Sequence, residues 1–449
     1  MMSSEQQYLD LFRTQRSLID NCSSALMNGP RQQARADFER LGFPSQRRPE
    51  RYKYTDVSQA FAPDYGLNLR QAISAAAAAG RFRCNLPELT KLVFNVANDT
   101  FCPPAAVALP QGVHVWSMRR ESSELPPEVS RYYGRLAATA DDAVTALNTM
   151  FAQDGIVVYV EPGVRLDEPV QIINLSAAGA DLMCNRRVLV VAGEGAAVRL
   201  LFCDHTDGRH RYLATQVTEV AAGAGASVEL YSVEETGEGS TRFCNLYVEQ
   251  QADSRVTICP ISLTNGLTRC RTDVSLAGKG AEFRAFGAVI ADKEQHVDHN
   301  ILVDHAAEGC RSDVLYKYVL SGHALGAFAG KVLVRPGAQH TDSQQTSANL
   351  CASPDARMLT QPMLEIYADD VRCNHGSTVG RLDEQALFYM CQRGIPEAEA
   401  RLLLQHAFVN EVLQRIELGQ LRDRLSYLVE MRFRGALGKC DGCRMCRRD

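Results

Sequence analysis

Cys373 and His375 stand two residues apart in Val371-Arg-Cys-Asn-His-Gly, a stretch that reads as a strand. Both side chains then leave one face with about 7 Å between their backbones. Thiolate and imidazole together suit iron or zinc. Two ligands do not close a site, so a second chain or a small donor would complete it; a buried thiol beside a hydrogen-bonded core histidine has the same appearance in sequence. His296, His299 and His305 form another group. On a continuous strand His299 and His305 share a face and His296 points away, with Asp298 and Asp304 as ready hydrogen-bond partners, a pattern read chiefly as structural. Near the C-terminus, Cys440, Cys443 and Cys446 have the spacing that lets three thiolates wrap one cluster, and Arg444, Arg447 and Arg448 favour the thiolate form. The fourth ligand is missing, so this tail reads either as a transient iron or cluster ligand or as an unligated thiol-rich end.

Signals for catalysis are sparse. There is no Gly-x-Ser-x-Gly elbow, no His-Glu-x-x-His helix and no Gly-rich phosphate loop after a strand, although Asp369-Asp370 resembles a pair of catalytic carboxylates. The expectation is a chain that is not an enzyme.

The elements that would carry these residues repeat. Ala192-Gly-Glu-Gly-Ala-Ala-Val-Arg-Leu200 recurs as Ala222-Gly-Ala-Gly-Ala-Ser-Val-Glu-Leu230 and as Ala277-Gly-Lys-Gly-Ala-Glu-Phe-Arg-Ala285. Taking the last glycine as marker, the series runs Gly163, Gly195, Gly225, Asp253 in a degenerate turn, Gly280, Gly309 and Gly337. A period near 28 with β-branched segments between the turns, such as Val188 to Val191 and Arg255 to Cys259, predicts a β-solenoid whose units bury their faces against neighbours. Before it, residues 3–40 carry Leu11, Phe12, Leu18 and Ile19 at helical spacing, Leu92 to Val96 reads as a strand, and Asp141 is the expected cap of a helix through Phe151. After it, Asp383 caps one helix, Pro396 starts another and Gly419 precedes a third. The division expected is 1–154 mixed, 155–382 solenoid, 383–435 helical and 436–449 a cysteine-rich tail. The last helices would either cap the open end of the solenoid or form a docking face.

Composition narrows the classes. In 449 residues, 48 Lys and Arg against 53 Asp and Glu leave a net charge of −5, without the basic footprint of a nucleic-acid binder. No apolar run approaches a membrane span, and Glu5 and Asp10 sit where a signal peptide would be basic or apolar. Fifteen cysteines, an odd number, read as thiols of a cytoplasmic protein.

Residues 364–383, with Glu365, Asp369, Asp370, Cys373, His375, Gly376 and Gly380, followed by Leu387-Phe-Tyr389 and Arg393-Gly-Ile395, resemble the signature of the SufD family of the SUF iron–sulfur assembly machinery. Tyr52-Lys-Tyr-Thr-Asp56, Phe151-Ala-Gln-Asp-Gly155, Ser312-Asp313, Gly326 to Gly330 and Ala338 to Asp342 agree with it. Tyr52 stands where the family usually carries tryptophan, and the tail from Cys440 is foreign to the general pattern. The resemblance implies a right-handed parallel β-helix and a scaffold that pairs with SufB through that β-helix. It places Cys373 and His375 as a candidate iron or cluster site near the SufB interface. Leu387, Phe388, Tyr389, Arg393 and Gly394 would receive the ATPase SufC. No stably bound cofactor is implied, only transient iron or a cluster; the isolated chain could pair with itself through an exposed edge. Two other readings stay open: a β-helix polysaccharide lyase or hydrolase, and a SufB-like subunit that itself builds the cluster.

Overall fold

The computed structural model describes residues 4–44, 50–65, 84, 86, 89–104, 107–119 and 125–437. Strands alternate between two sheets: Val170–Ala177, Ala197–Asp207 and every second strand to Arg372–Gly380 form one, and Ile156–Val160, Leu182–Ala192 and every second strand to Arg357–Ile366 form the other. Successive strands within each sheet pair in parallel, giving a β-solenoid of about 8 turns. The repeat is elastic. Ala197 lies opposite Ser227, 30 residues on, whereas Thr241 lies opposite Leu267, only 26 on, and Leu325 opposite Arg357, 32 on.

Alternation sorts each strand's side chains into lumen and outer face. In the lumen, Val190, Val220, Val248, Val274, Val303 and Val332 stack in register on successive turns. β-Branched chains suit such a ladder because their single preferred rotamer repeats at the interstrand spacing. The turns stack as well. Residues with positive φ at Gly163, Gly195, Gly225, Asp253, Gly280, Gly309 and His340 aim their N–H groups at a carbonyl one turn further on. The series ends with Gly309 N donating to Gln339 O at 2.8 Å and His340 N to Asp370 O at 2.6 Å. The sequence marker at Gly337 is therefore displaced: the left-handed position of that turn belongs to His340, three residues later, in a longer loop.

Each sheet is covered on its outer face. The helices Ser4–Asn21, Arg31–Leu41 and Ala143–Phe151 lay Phe12, Phe38, Leu147 and Phe151 against Met183, Leu213 and Phe243 of the second sheet. Asp142 rather than Asp141 caps the third of these, accepting from Thr145 N at 2.7 Å. The helices Glu397–Leu413 and Gly419–Phe433 run back along the first sheet, burying Val409, Val412, Leu421 and Leu425 on Phe286, Ile290, Leu315 and Val319. They cover a flank, not the end. Leu315 and Val319 face outward and would otherwise lie in water, so the helices serve that face.

The two ends differ. At the N-terminal end, Thr100–Cys102 pairs antiparallel with Val93–Ala97, and Val113–Ser117 pairs antiparallel with Ile156–Val160, so the outermost strands there are short and reversed, each with one strand partner among the described residues. At the other end, Arg357–Ile366 and Arg372–Gly380 each have a strand partner on one side only. No described helix is long and apolar enough to cross a membrane.

Candidate functional site

Cys373 and His375 lie on Arg372–Gly380, in register with Ser343 and Gln345 one turn earlier. Ser377 on the same face bonds Thr360 Oγ1 across the lumen at 2.7 Å, which fixes that face as inward. Cys373 packs beside Val332, Val334 and Ala338, and burial, then the Asp342 carboxylate, raises its thiol pKa. His375 is exposed because no further turn covers it. Leu359, Ile366, Tyr367 and Val379 are exposed around the same turn. Two strand edges with unpaired backbone groups and an apolar surround form a surface ready to accept another strand pair.

The second candidate surface is Glu384–Gln392, capped by Asp383 Oδ1 accepting from Gln385 N at 2.9 Å and Ala386 N at 3.1 Å. Phe388 and Tyr389 are 66% and 59% exposed, and Arg393 lies over the Tyr389 ring at 5.0 Å. Leu387 is buried beneath them, and Gly394 takes φ +85° where the chain turns into the next helix. Cys440, Cys443 and Cys446 lie outside the described residues.

His299 and His305 share the lumen face and His296 the outer one, as alternation requires. Their partners are not the neighbouring aspartates: His299 Nδ1 meets Tyr318 Oη at 2.7 Å and His305 Nε2 meets Ser312 Oγ at 2.9 Å. Asp298 and Asp304, at opposite or terminal positions, engage Thr55 and Arg335 instead. Asp370 pairs with His340 at 2.9 Å in an exposed turn.

Two groups of thiols escaped the sequence reading. In the lumen, Cys244, Cys270 and His299 occupy the same rung position of three successive turns and line a cavity of about 90 Å³ with Glu234 and Arg242. The Cys244 thiol, donating to Cys270, holds the latter well below the usual thiol range, assisted by His299. On the outer face of the first sheet, Cys84, Cys203 and His205 bring one ligand atom each to within 4.8 Å of one another, all buried. There the hydrogen bond from Cys203 holds the Cys84 thiol low against the cost of burial.

Family comparisons decide what kind of solenoid this is. Residues 174–408 match the SUF system FeS cluster assembly SufBD core domain, and residues 2–172 the SufBD protein N-terminal region. The chain belongs to the SufBD family. An iron–sulfur cluster assembly SufBD family protein of Synechocystis is 27% identical over 433 residues, covering 93% of this chain and 94% of the relative. The iron–sulfur cluster assembly protein SufD of Escherichia coli is 28% identical over 296 residues (64% and 69%), and SufD of Bacillus subtilis 26% over 326 (70% and 72%). Within the SufBD core match fall Cys373, His375, Phe388 and Tyr389.

Proposed function

We propose that this SufBD chain is the SufD-type scaffold of a SUF assembly complex, without an active site of its own. A SufB homologue docks on the C-terminal edge of the solenoid, and a SufC-type ATPase docks on Phe388, Tyr389 and Arg393. The observation that carries the reading is the contrast between the ends. The outermost strands at one end are short and reversed, whereas those at the other run parallel with the solenoid and carry Cys373, His375 and exposed apolar side chains around them. A partner of the same solenoid architecture would continue both sheets and cover that surround.

In this arrangement iron or a nascent cluster is cargo. Cys373 and His375 offer a thiol and an imidazole on one face, and the partner supplies the remaining ligands. ATP-driven movement of the docked ATPase is transmitted through the helices that follow Asp383, straining the edge and opening the pair for iron entry. The test is reconstitution with SufB and SufC homologues. His375→Ala should leave the fold and the complex intact while lowering cluster output at least tenfold; unchanged output removes His375 from the mechanism.

A further inference from the structure

Cys84, Cys203 and His205 stand far from the open edge. Cys203 and His205 project from Ala197–Asp207 to the outer face of the first sheet, where residues 84 and 86 cross over it in contact with Ile173 and Leu201. His205 Nε2 lies 3.4 Å from Cys84 Sγ. A tetrahedral ion with metal–sulfur bonds of about 2.3 Å and metal–nitrogen bonds of about 2.0–2.1 Å places sulfur and nitrogen about 3.5 Å apart. The distance thus fits two ligands of one ion.

A fourth group converges on the same point. The fully buried Gln171 side chain directs its amide at both sulfurs, with Nε2 at 3.6 Å from Cys84 Sγ and 3.4 Å from Cys203 Sγ, while its Oε1 has no hydrogen-bond partner. Oxygen and nitrogen of an amide exchange by a half-turn, which would set Oε1 at ligand distance. Beyond His205, Glu235 lies on the next turn in register with it, the position of a carboxylate that orients a metal-binding imidazole.

We propose that Cys84, Cys203 and His205, with the Gln171 amide or a water as fourth ligand, bind one thiophilic divalent cation of the zinc or iron(II) class. This ion is resident and structural: it clamps the segment through Cys84 onto the solenoid, and both thiols lose their protons to the solvent as it binds. The site is separate from the cargo pair at Cys373 and His375.

The test uses full-length protein in which Cys440, Cys443 and Cys446 are replaced by serine, prepared metal-free under reductant and titrated with Co²⁺. The expected result is one equivalent bound, with a cobalt–thiolate charge-transfer band that Cys203→Ser and Cys84→Ser each abolish and Cys373→Ser leaves unchanged. Thermal melts of the metal-free variants confirm that they fold; Co²⁺ should raise the melting temperature of the parent and not that of Cys84→Ser. Absence of the band in the folded parent, or a band that survives both Cys84→Ser and Cys203→Ser, overturns the proposal. Because the readout needs no partner and no cluster assembly, its failure is distinct from failure of the scaffold reading.

Discussion

The Arg269 guanidinium lies 3.9 Å from the centroid of the Tyr52 ring, with both side chains buried between the N-terminal segment and the second sheet. Tyr52 Oη donates to Asp142, Arg271 Nη1 meets Asp142 at 3.0 Å, and Thr55 Oγ1 donates to Asp298 at 2.6 Å. The Tyr52-Lys-Tyr-Thr motif is therefore a docking device. Its aromatic ring covers a buried cation, a role that the larger ring of tryptophan can also fill.

Tyr52→Trp should be tolerated within about 1 kcal/mol, whereas Tyr52→Leu should destabilise by about 2–4 kcal/mol, since it uncovers Arg269 and removes a donor from Asp142. Denaturant unfolding of the two variants measures the difference. Equal losses would show that the aromatic cover over Arg269 contributes nothing.

Arg187 and Glu219 form a fully buried pair at 2.8 Å, and Glu219 also accepts from the backbone of Gly134, Leu136 and Ala137. Replacing one partner strands the other charge at a cost of about 3–5 kcal/mol. Glu219→Gln should therefore lower stability by several kcal/mol and loosen the 134–137 segment, read by hydrogen exchange there. Arg187→Met with Glu219→Gln should cost less than the sum of the single changes.

Burial in the lumen lowers the His305 pKa from 6.5 to about 4, with the Asp304 carboxylate opposing. The charged group acting on it is Asp304 on its own strand, which Arg335 engages from the next turn. The unfolded chain takes up this proton below pH 6.5 and the folded one does not. His305 thus contributes its full share of stability above pH 6.5, and about 3 kcal/mol is lost as pH falls from there to about 4. His305→Gln should flatten that part of the stability profile; an unchanged slope would assign the pH dependence to other groups.

Much of this architecture could be read from the chain because a solenoid writes its period into its turns. The glycines at 163, 195, 225, 280 and 309 and the aspartate at 253 each occupy the left-handed turn position. The marker failed at Gly337, where a longer loop passes the role to His340. The covering role of the last helices was harder to see, since the outward residues of the first sheet, such as Leu315 and Val319, are as apolar as the lumen ones and alternation does not say which face is dry. The thiol groups were hidden for a different reason. Cys203 and His205 repeat the spacing of Cys373 and His375, but their partner Cys84 is 121 residues from His205, beyond any local pattern. Cys244, Cys270 and His299 recur at the solenoid's own period, a signal that appears only when the repeat is used to align chemically active residues instead of glycines.

The exposed ends of the two surfaces yield separable variants, which truncation would not. A chain ending at Asp383 would strip the first sheet of Val409, Val412 and Leu425 and uncover Phe286, Ile290 and Leu315, so loss of a partner from it would report unfolding as much as docking. Phe388→Ala with Tyr389→Ala changes only exposed side chains and should leave stability within about 0.5 kcal/mol.

The measurement that bears most directly on the scaffold account is co-purification of the full-length chain with SufB and SufC homologues, comparing two paired variants. Leu359→Lys with Val379→Lys sets charge on the open edge and should release the SufB homologue while retaining SufC. Phe388→Ala with Tyr389→Ala should do the reverse. If both variants hold both partners as the parent does, or if each loses both together, the two-surface scaffold is wrong.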